Sequence, residues 1–180
     1  MRIIKNIFIA IAGIIALLLI LALFVKKDFG VEKTIVINKP KAEVFKYVKF
    51  LKNQNNYSAW AQMDLNMKRN YIGEDGQPGF VSAWESESRN VGKGEIEIKN
   101  ISEGDRIDFE LRFIKPFKSA NKVYMITESF EKKQTLVKWG IAGTMKYPAN
   151  LMLLFMDMNN MLGKDLEVGL GNLKLLLEKK

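Results

Sequence analysis

The pattern of apolar and polar positions divides the chain into three regimes. From Ile7 to Val25 there is no charged residue, and nearly every side chain is aliphatic or aromatic. Nineteen residues of helix at ~1.5 Å per residue span ~28 Å, close to the ~30 Å hydrocarbon core of a bilayer. Arg2 and Lys5 flank one end, and Lys26 and Lys27 the other, where their charged heads can reach an interface. The segment therefore reads as a membrane-spanning anchor over residues 7–25, within an N-terminal unit of residues 1–27. A cleaved signal peptide is the rival. Its apolar region is ordinarily shorter, ~7–15 residues, and ends at small residues, whereas this run ends Leu23-Phe24-Val25-Lys26-Lys27.

The second regime alternates. Thr34 to Ile37 is β-branched and reads as a strand, with Asp28 to Val31 before it as a short linker. Ala42, Phe45, Val48 and Leu51 recur at helical spacing, so a short amphipathic helix is expected over 41–51, with Pro40 at its start. Five further strand segments follow: 67–72, 80–87, 105–114, 123–130 and 136–145, with an alternating stretch at 95–98 between them. The clearest pattern is 105–114. Ile107, Phe109, Leu111 and Phe113 share one face, and Asp108, Glu110 and Arg112 share the other. Turn-forming residues separate these segments, notably 73–79 and 102–105, so an antiparallel meander with one wet face is expected.

The third regime begins after Pro148. Leu151, Leu154, Phe155, Met158, Leu162, Leu166, Leu170, Leu173 and Leu177 step by three and four, which predicts one long C-terminal helix with an apolar stripe. Gly163, Gly169 and Gly171 interrupt it and suit a helix that packs closely on a neighbour. The order is strand, short helix, about six strands, long helix. The predicted class is α+β: a curved antiparallel sheet gripping the last helix over residues 28–180, with a cavity wherever the apolar faces fail to meet.

Charge and composition narrow the chemistry. Net charge is +8, and Arg2, Lys5, Lys26 and Lys27 against Asp28 put three of those charges ahead of residue 30. The remaining five are spread along the chain. That suits anionic lipid headgroups better than nucleic acid, which is not expected as a partner. There is no Cys and no His, so thiolate chemistry, zinc sites and His-dependent triads cannot be built. No metal, cofactor or catalytic set is predicted. The acids Glu95, Glu97, Asp108 and Glu110 alternate with apolar residues and belong on a water face. Asp157 and Asp165 lie in the last helical region, where surface or capping roles are expected. The run Gly92-Lys93-Gly94 reads as a turn or bulge, because it lacks the spacing and the following helix of a phosphate loop.

The opening 35–45, Ile-Val-Ile-Asn-Lys-Pro-Lys-Ala-Glu-Val-Phe, resembles the start of START-like helix-grip (SRPBCC) domains. The ending at 151–158, followed by Met161-Leu162-Gly163-Lys164-Asp165-Leu166-Glu167 and Gly169-Leu170, is similar to a bacterial group of that superfamily described as polyketide cyclase/dehydrase-like. Trp84-Glu85 and Val91-Gly92-Lys93-Gly94 resemble it too. The likeness covers roughly residues 31–178. It implies a seven-stranded antiparallel sheet around a C-terminal helix with a hydrophobic pocket between them. It implies no reaction, because the fold serves lipid carriers, receptors, cyclases and partner-binding domains alike.

Cavity-lining candidates follow from size and position. Trp60 and Trp84 are pocket-wall residues because the family pocket opens near those segments. Phe109, Leu111 and Phe113 share the inner face of their strand. Met152, Phe155 and Met156 stand at the start of the last helical region, where methionines are dense and flexible thioethers suit varied apolar ligands. The expected function is a membrane-anchored binding protein for a lipophilic small molecule or lipid. Two alternatives stay open: a protein-interaction or envelope-stress module at the membrane, and a cyclase- or dehydratase-type enzyme using a buried carboxylate. Counting Lys and Arg on each side of the apolar run favours the cytoplasmic face for the soluble part. A short basic tail followed by an external domain fits the same residues.

Overall fold

A computed structural model describes residues 2–88 and 91–179. The uncharged segment is helix α1 (Arg2–Phe24), 23 residues long, with a mean hydropathy of 3.2 over its most apolar window. It is long and apolar enough to cross a membrane. Ala22 is its one buried residue, so its sides carry apolar surface that the rest of the chain does not cover. Such surface requires a hydrophobic surrounding.

Three residues later the sheet begins. Its strands are β1 (Asp28–Ile37), β2 (Lys68–Ile72), β3 (Val81–Glu85), β4 (Lys93–Ser102), β5 (Arg106–Lys115), β6 (Ser119–Ser129) and β7 (Thr135–Thr144). Their order across the seven-stranded sheet is β1-β7-β6-β5-β4-β3-β2, and every neighbouring pair is antiparallel. Strands β2 to β7 form a meander, and β1 pairs with the last of them. The expected linker at 28–31 is instead the first part of β1, where Asp28 pairs with Thr144. Gly30 and Val31 continue the ladder, and Thr144 Oγ1 donates to Asp28 Oδ1 at 2.6 Å. The polar cluster around Asp28 thus closes an edge rather than marking a flexible joint.

Between β1 and β2 lie α2 (Lys41–Val48), a 3₁₀ turn (Leu51–Asn56) and the short helix α3 (Ala59–Gln62). Helix α2 follows Pro40, which occupies the N-cap, and it buries Val44, Phe45 and Val48 at the i, i+1, i+4 spacing of an inward stripe. The last helix, α4 (Met158–Glu178), lies against the concave face and buries Leu166, Leu170, Leu173 and Leu177. The fold is the α+β helix-grip arrangement expected from the sequence.

The single helix expected from residue 151 is broken in two. A 3₁₀ turn (Ala149–Leu154) comes first, and α4 starts only at Met158. The cause is Asp157. Its backbone is extended and its carboxylate accepts from the Asn160 N–H at 3.0 Å, which makes it an N-cap and begins a new helix.

The sheet has two unlike ends. Register places the start of β1 beside the end of β7, and the end of β5 beside the starts of β4 and β6. This end, which α1 enters, is called proximal. Helix α4 starts there as well and runs parallel to β1. Lys33 Nζ meets Glu167 at 2.6 Å, Lys174 Nζ donates to the Val36 carbonyl at 2.9 Å, and Glu178 accepts from the Asn38 N–H at 2.7 Å. The outer face is wet. Arg112 pairs there with Glu95 at 2.7 Å, with Glu97 at 2.8 Å and with Glu110. These acids are occupied in a half-buried ion-pair network on the outer face and do not face the interior.

Candidate functional site

The concave face and α4 meet fully only in the distal half. There Ile37, Val44, Val48, Ile98, Ile107, Phe109, Met125, Val137, Leu170 and Leu173 are each 2% exposed or less. In the proximal half they stand apart and enclose a cavity of about 210 Å³. This is below the ~300–1,000 Å³ usual for small-molecule sites, so it suits a single ring system or a short chain.

Its wall is built from alternate residues of successive strands: Met67 and Arg69, Ser82 and Trp84, Ile96, Leu111 and Phe113, Val123, Trp139 and Ile141. Helix α4 contributes Leu162 and Leu166, four residues apart on one face. Trp60 and Ala61 of α3 close the side, together with Leu51, Gln54, Asn55 and Ser58.

Two glycines seat the indoles of this wall. Trp84 lies across Gly94, its partner on β4, where a Cβ would stand 2.5 Å from the ring and 2.6 Å from the Arg112 carbonyl. Gly94 sits at a register shift in β4, which is the bulge expected for this glycine pair. The Trp84 N–H donates to the Val91 carbonyl at 3.2 Å, and its ring meets Phe113 edge-on at 5.9 Å. Trp139 lies against Gly169 of α4, where a Cβ would come within 2.6 Å of its ring. Trp139 then packs edge-on with Trp60 at 6.2 Å and with Tyr57 at 5.7 Å. Gly169 is thus the close-approach glycine anticipated on the last helix. Gly171 meets nothing within 4 Å of where its Cβ would be.

The predicted lining residues separate into two groups. Trp60, Trp84, Leu111 and Phe113 come together in the wall. Phe109 shares their face but falls in the solid half, 2% exposed. Met152 and Phe155 lie outside the domain, 52% and 85% exposed, and Met156 lines an open groove beside α1. The displacement follows from the helix break at Asp157, which carries 151–156 away from the sheet. Sequence reasoning missed Arg69, Val123, Ile141 and Leu162 as wall residues. Alternation of Met67, just before β2, with Arg69 and Tyr71 on it was the available signal for Arg69.

The electrostatics are lopsided. Among the described residues Arg69 is the one charged side chain in the wall, and its Nη2 donates to the Ala61 carbonyl at 3.0 Å. Nearby Asp64 accepts from the Ser86 hydroxyl at 2.5 Å. That bond first, then the Asn66 N–H and the Arg69 charge, hold its carboxyl below the usual range. On α4, Asp165 is shifted the other way: partial burial raises it, and the Trp60 side chain draws it back down. Burial pushes the Tyr57 phenol well up, with Tyr47 adding to the shift, and its hydroxyl donates to Met125 Sδ at 3.5 Å. With no cysteine in the chain, no thiolate nucleophile is on offer. Asp165, next to Trp60, is thus a carboxyl that burial raises above its ordinary value.

No family model matches this chain, and no curated protein matches it in sequence. Solved structures match its fold. Norcoclaurine synthase from Thalictrum flavum, solved with dopamine and hydroxybenzaldehyde, superposes with a TM-score of 0.61 over 85% of this chain and 88% of its own, at 9% identity. Ara h 8.0201 matches at 0.55, over 81% of this chain and 97% of its own, at 14% identity. The Aha1 dimer from Colwellia psychrerythraea also gives 0.55, over 81% and 93%, at 11% identity. These are helix-grip, START-like folds, and at such identities the likeness is one of architecture.

Proposed function

We propose that the chain is a single-pass membrane protein whose helix-grip domain binds a lipophilic small molecule between β2–β7 and α4. The observation that carries this reading is the proximal cavity, walled mainly by Trp, Phe, Leu, Ile, Val and Met in a chain that begins with an uncovered apolar helix. Apolar burial at ~25 cal/mol per Å² would supply most of the affinity. Gln54, Asn55, Ser58, Ser82 and Arg69 supply polar groups that orient the ligand. A 210 Å³ space accepts a ring or short acyl segment rather than a whole phospholipid. The polyketide cyclase-like group is the superfamily branch whose end motifs the chain resembles. The excess of Lys and Arg after the apolar run supports a cytoplasmic-facing domain.

The test uses the full-length chain purified in detergent. Its organic extract is analysed by mass spectrometry, and a fluorescent apolar probe is titrated against it. Saturable probe binding that disappears in Val123→Phe, which fills the cavity, is the expected result. Failure to bind any apolar probe or to carry any extractable ligand would sink the reading.

A second reading has one observation behind it. Asp165 is a carboxyl raised by burial and in contact with the wall residue Trp60, as acid–base chemistry in the cavity would require. Turnover lost in Asp165→Asn with ligand affinity retained would select it.

A further inference from the structure

The proximal end carries apolar surface that neither the core nor the cavity uses. In the turn Ala149–Leu154 and just after it, Met152, Leu154 and Phe155 are 52%, 59% and 85% exposed. In the β5–β6 loop, Phe117 is 82% exposed. Register puts that loop at the same end as the start of β1. At the distal end the exposed apolar side chains are Phe50, Ile72 and Phe130.

Asn150 fixes this surface to α1. It is fully buried, and its Nδ2 donates to the carbonyls of Ala22 at 2.7 Å and Val25 at 3.0 Å. The final carbonyls of a helix have no partners within the helix, and one side chain from the 3₁₀ turn satisfies that of Ala22 together with the Val25 carbonyl just beyond the helix end. Met145 N–H adds a bond to the Lys27 carbonyl at 2.8 Å. The turn is therefore bolted to the end of α1. Between the two lies an open groove of about 650 Å³, walled by Leu21, Phe24, Leu153, Leu154, Met156 and Met158, with Lys26, Asp28 and Asp157 as its charged members.

We infer that this proximal face is a bilayer-seated platform: the 3₁₀ turn and the β5–β6 loop lie in the interfacial region of the membrane that α1 crosses, with phospholipid acyl chains in the groove. The inference rests on the anchor reading above. Two observations point to lipid as the occupant. The groove is continuous with the uncovered flank of α1, so whatever solvates that flank extends into it. The surrounding charge is basic: Lys26, Lys27, Lys115, Lys118 and Lys146 border the face. Of the nearby acids, Asp28 is bonded to Thr144, Glu85 is paired with Lys93 at 2.9 Å, Asp64 accepts from Ser86 and Asp157 caps α4, while Glu87 is exposed, which leaves the lysines in the majority. That pattern complements anionic headgroups above buried chains. The hollow half of the interior is the half next to this platform, so a ligand exchanging with the bilayer has a short path.

The chain has no cysteine, which makes single-site labelling clean. Full-length Phe155→Cys, Phe117→Cys and Lys132→Cys, each carrying a fluorophore, are reconstituted in phosphatidylcholine vesicles with phosphatidylglycerol and chain-labelled doxyl lipid. Labels at 117 and 155 should lie ~5–10 Å below the headgroup boundary and be quenched at least about twofold more than the distal label at 132. Carbonate extraction of the same vesicles reports the anchor separately. A chain retained after carbonate, with 117 and 155 quenched no more than 132, overturns the platform and leaves the anchor standing. A chain released by carbonate overturns both. In Asn150→Asp, which keeps the shape but loses both donors, retention should persist while quenching at 155 falls. Unchanged quenching there would remove Asn150 from the account.

Discussion

The two halves of the sheet–helix interior are made of the same kinds of residue on the same strands, yet one is solid and the other hollow. On β5, Ile107 and Phe109 are sealed in the distal half, while Leu111 and Phe113, two and four residues further on the same face, border open space. The difference lies in what fills the gap between sheet and α4. Distally α2 inserts Val44, Phe45 and Val48 as a third layer. Proximally the third layer is only the 3₁₀ turn and the four-residue α3, whose Trp60 props the wall open rather than filling it. A cavity in this fold therefore depends on how much helix the β1–β2 connection supplies, and less on how apolar the strands are.

The sharpest way to break that contrast is to delete side chains from each half. Leu173→Ala in the solid half should cost about 3–5 kcal/mol, because the surroundings cannot collapse into the space. Leu111→Ala borders a void already present and should cost roughly 1–2 kcal/mol. Denaturant unfolding of the full chain in micelles measures both, and equal losses would mean the halves are packed alike.

Adding bulk should invert the ranking. Val137→Phe, in the distal core, should destabilise by about 1–3 kcal/mol through forced rotamers. Val123→Phe points the same ring at the cavity and should stay within ~1 kcal/mol of the parent. Matched melting shifts in the two variants would contradict the cavity.

The smallest effect is a pH dependence at Asp165. Partial burial gives this carboxyl a higher pKa folded than unfolded, so the folded state holds its proton more tightly. Stability is then highest at low pH and falls as pH rises from the ordinary carboxylate range, ~3.9, through the raised folded value. Asp165→Asn removes the penalty. The variant should match the parent at the acid end and be the more stable of the two at neutral pH. A variant less stable than the parent at neutral pH would show that the charged form is the one favoured in the fold.

How much of this was legible beforehand depended on whether a local pattern carried it. The alternation of Ile107 to Phe113 and the stripe from Leu162 to Leu177 gave sheet and helix directly, since both express burial on one face. Leu111 and Phe113 were readable as wall residues for the same reason, whereas Trp60 and Trp84 were readable from the family resemblance. Phe109 shares that face, and periodicity cannot say where along a strand packing gives way to space. The stripe from Leu151 to Leu162 misled, because apolar spacing continued through a break that one carboxylate at Asp157 created. Met152, Phe155 and Met156 were consequently assigned to the interior when their surface lies outside it. The roles of Gly94 and Gly169 needed coordinates, because each is defined by an indole distant in sequence or on another strand.

Only Val25, Lys26 and Lys27 lie between α1 and the first strand. With α1 held in a bilayer, the domain has no leash. A ten-residue strand rises ~33 Å at ~3.3 Å per residue, and that height bounds everything the sheet can meet. A soluble partner must come to the lipid surface to find it, whereas a molecule dissolved in the membrane is already within reach. On the proposed anchor reading, the short junction would act as a filter on geography, favouring clients confined to the same two dimensions.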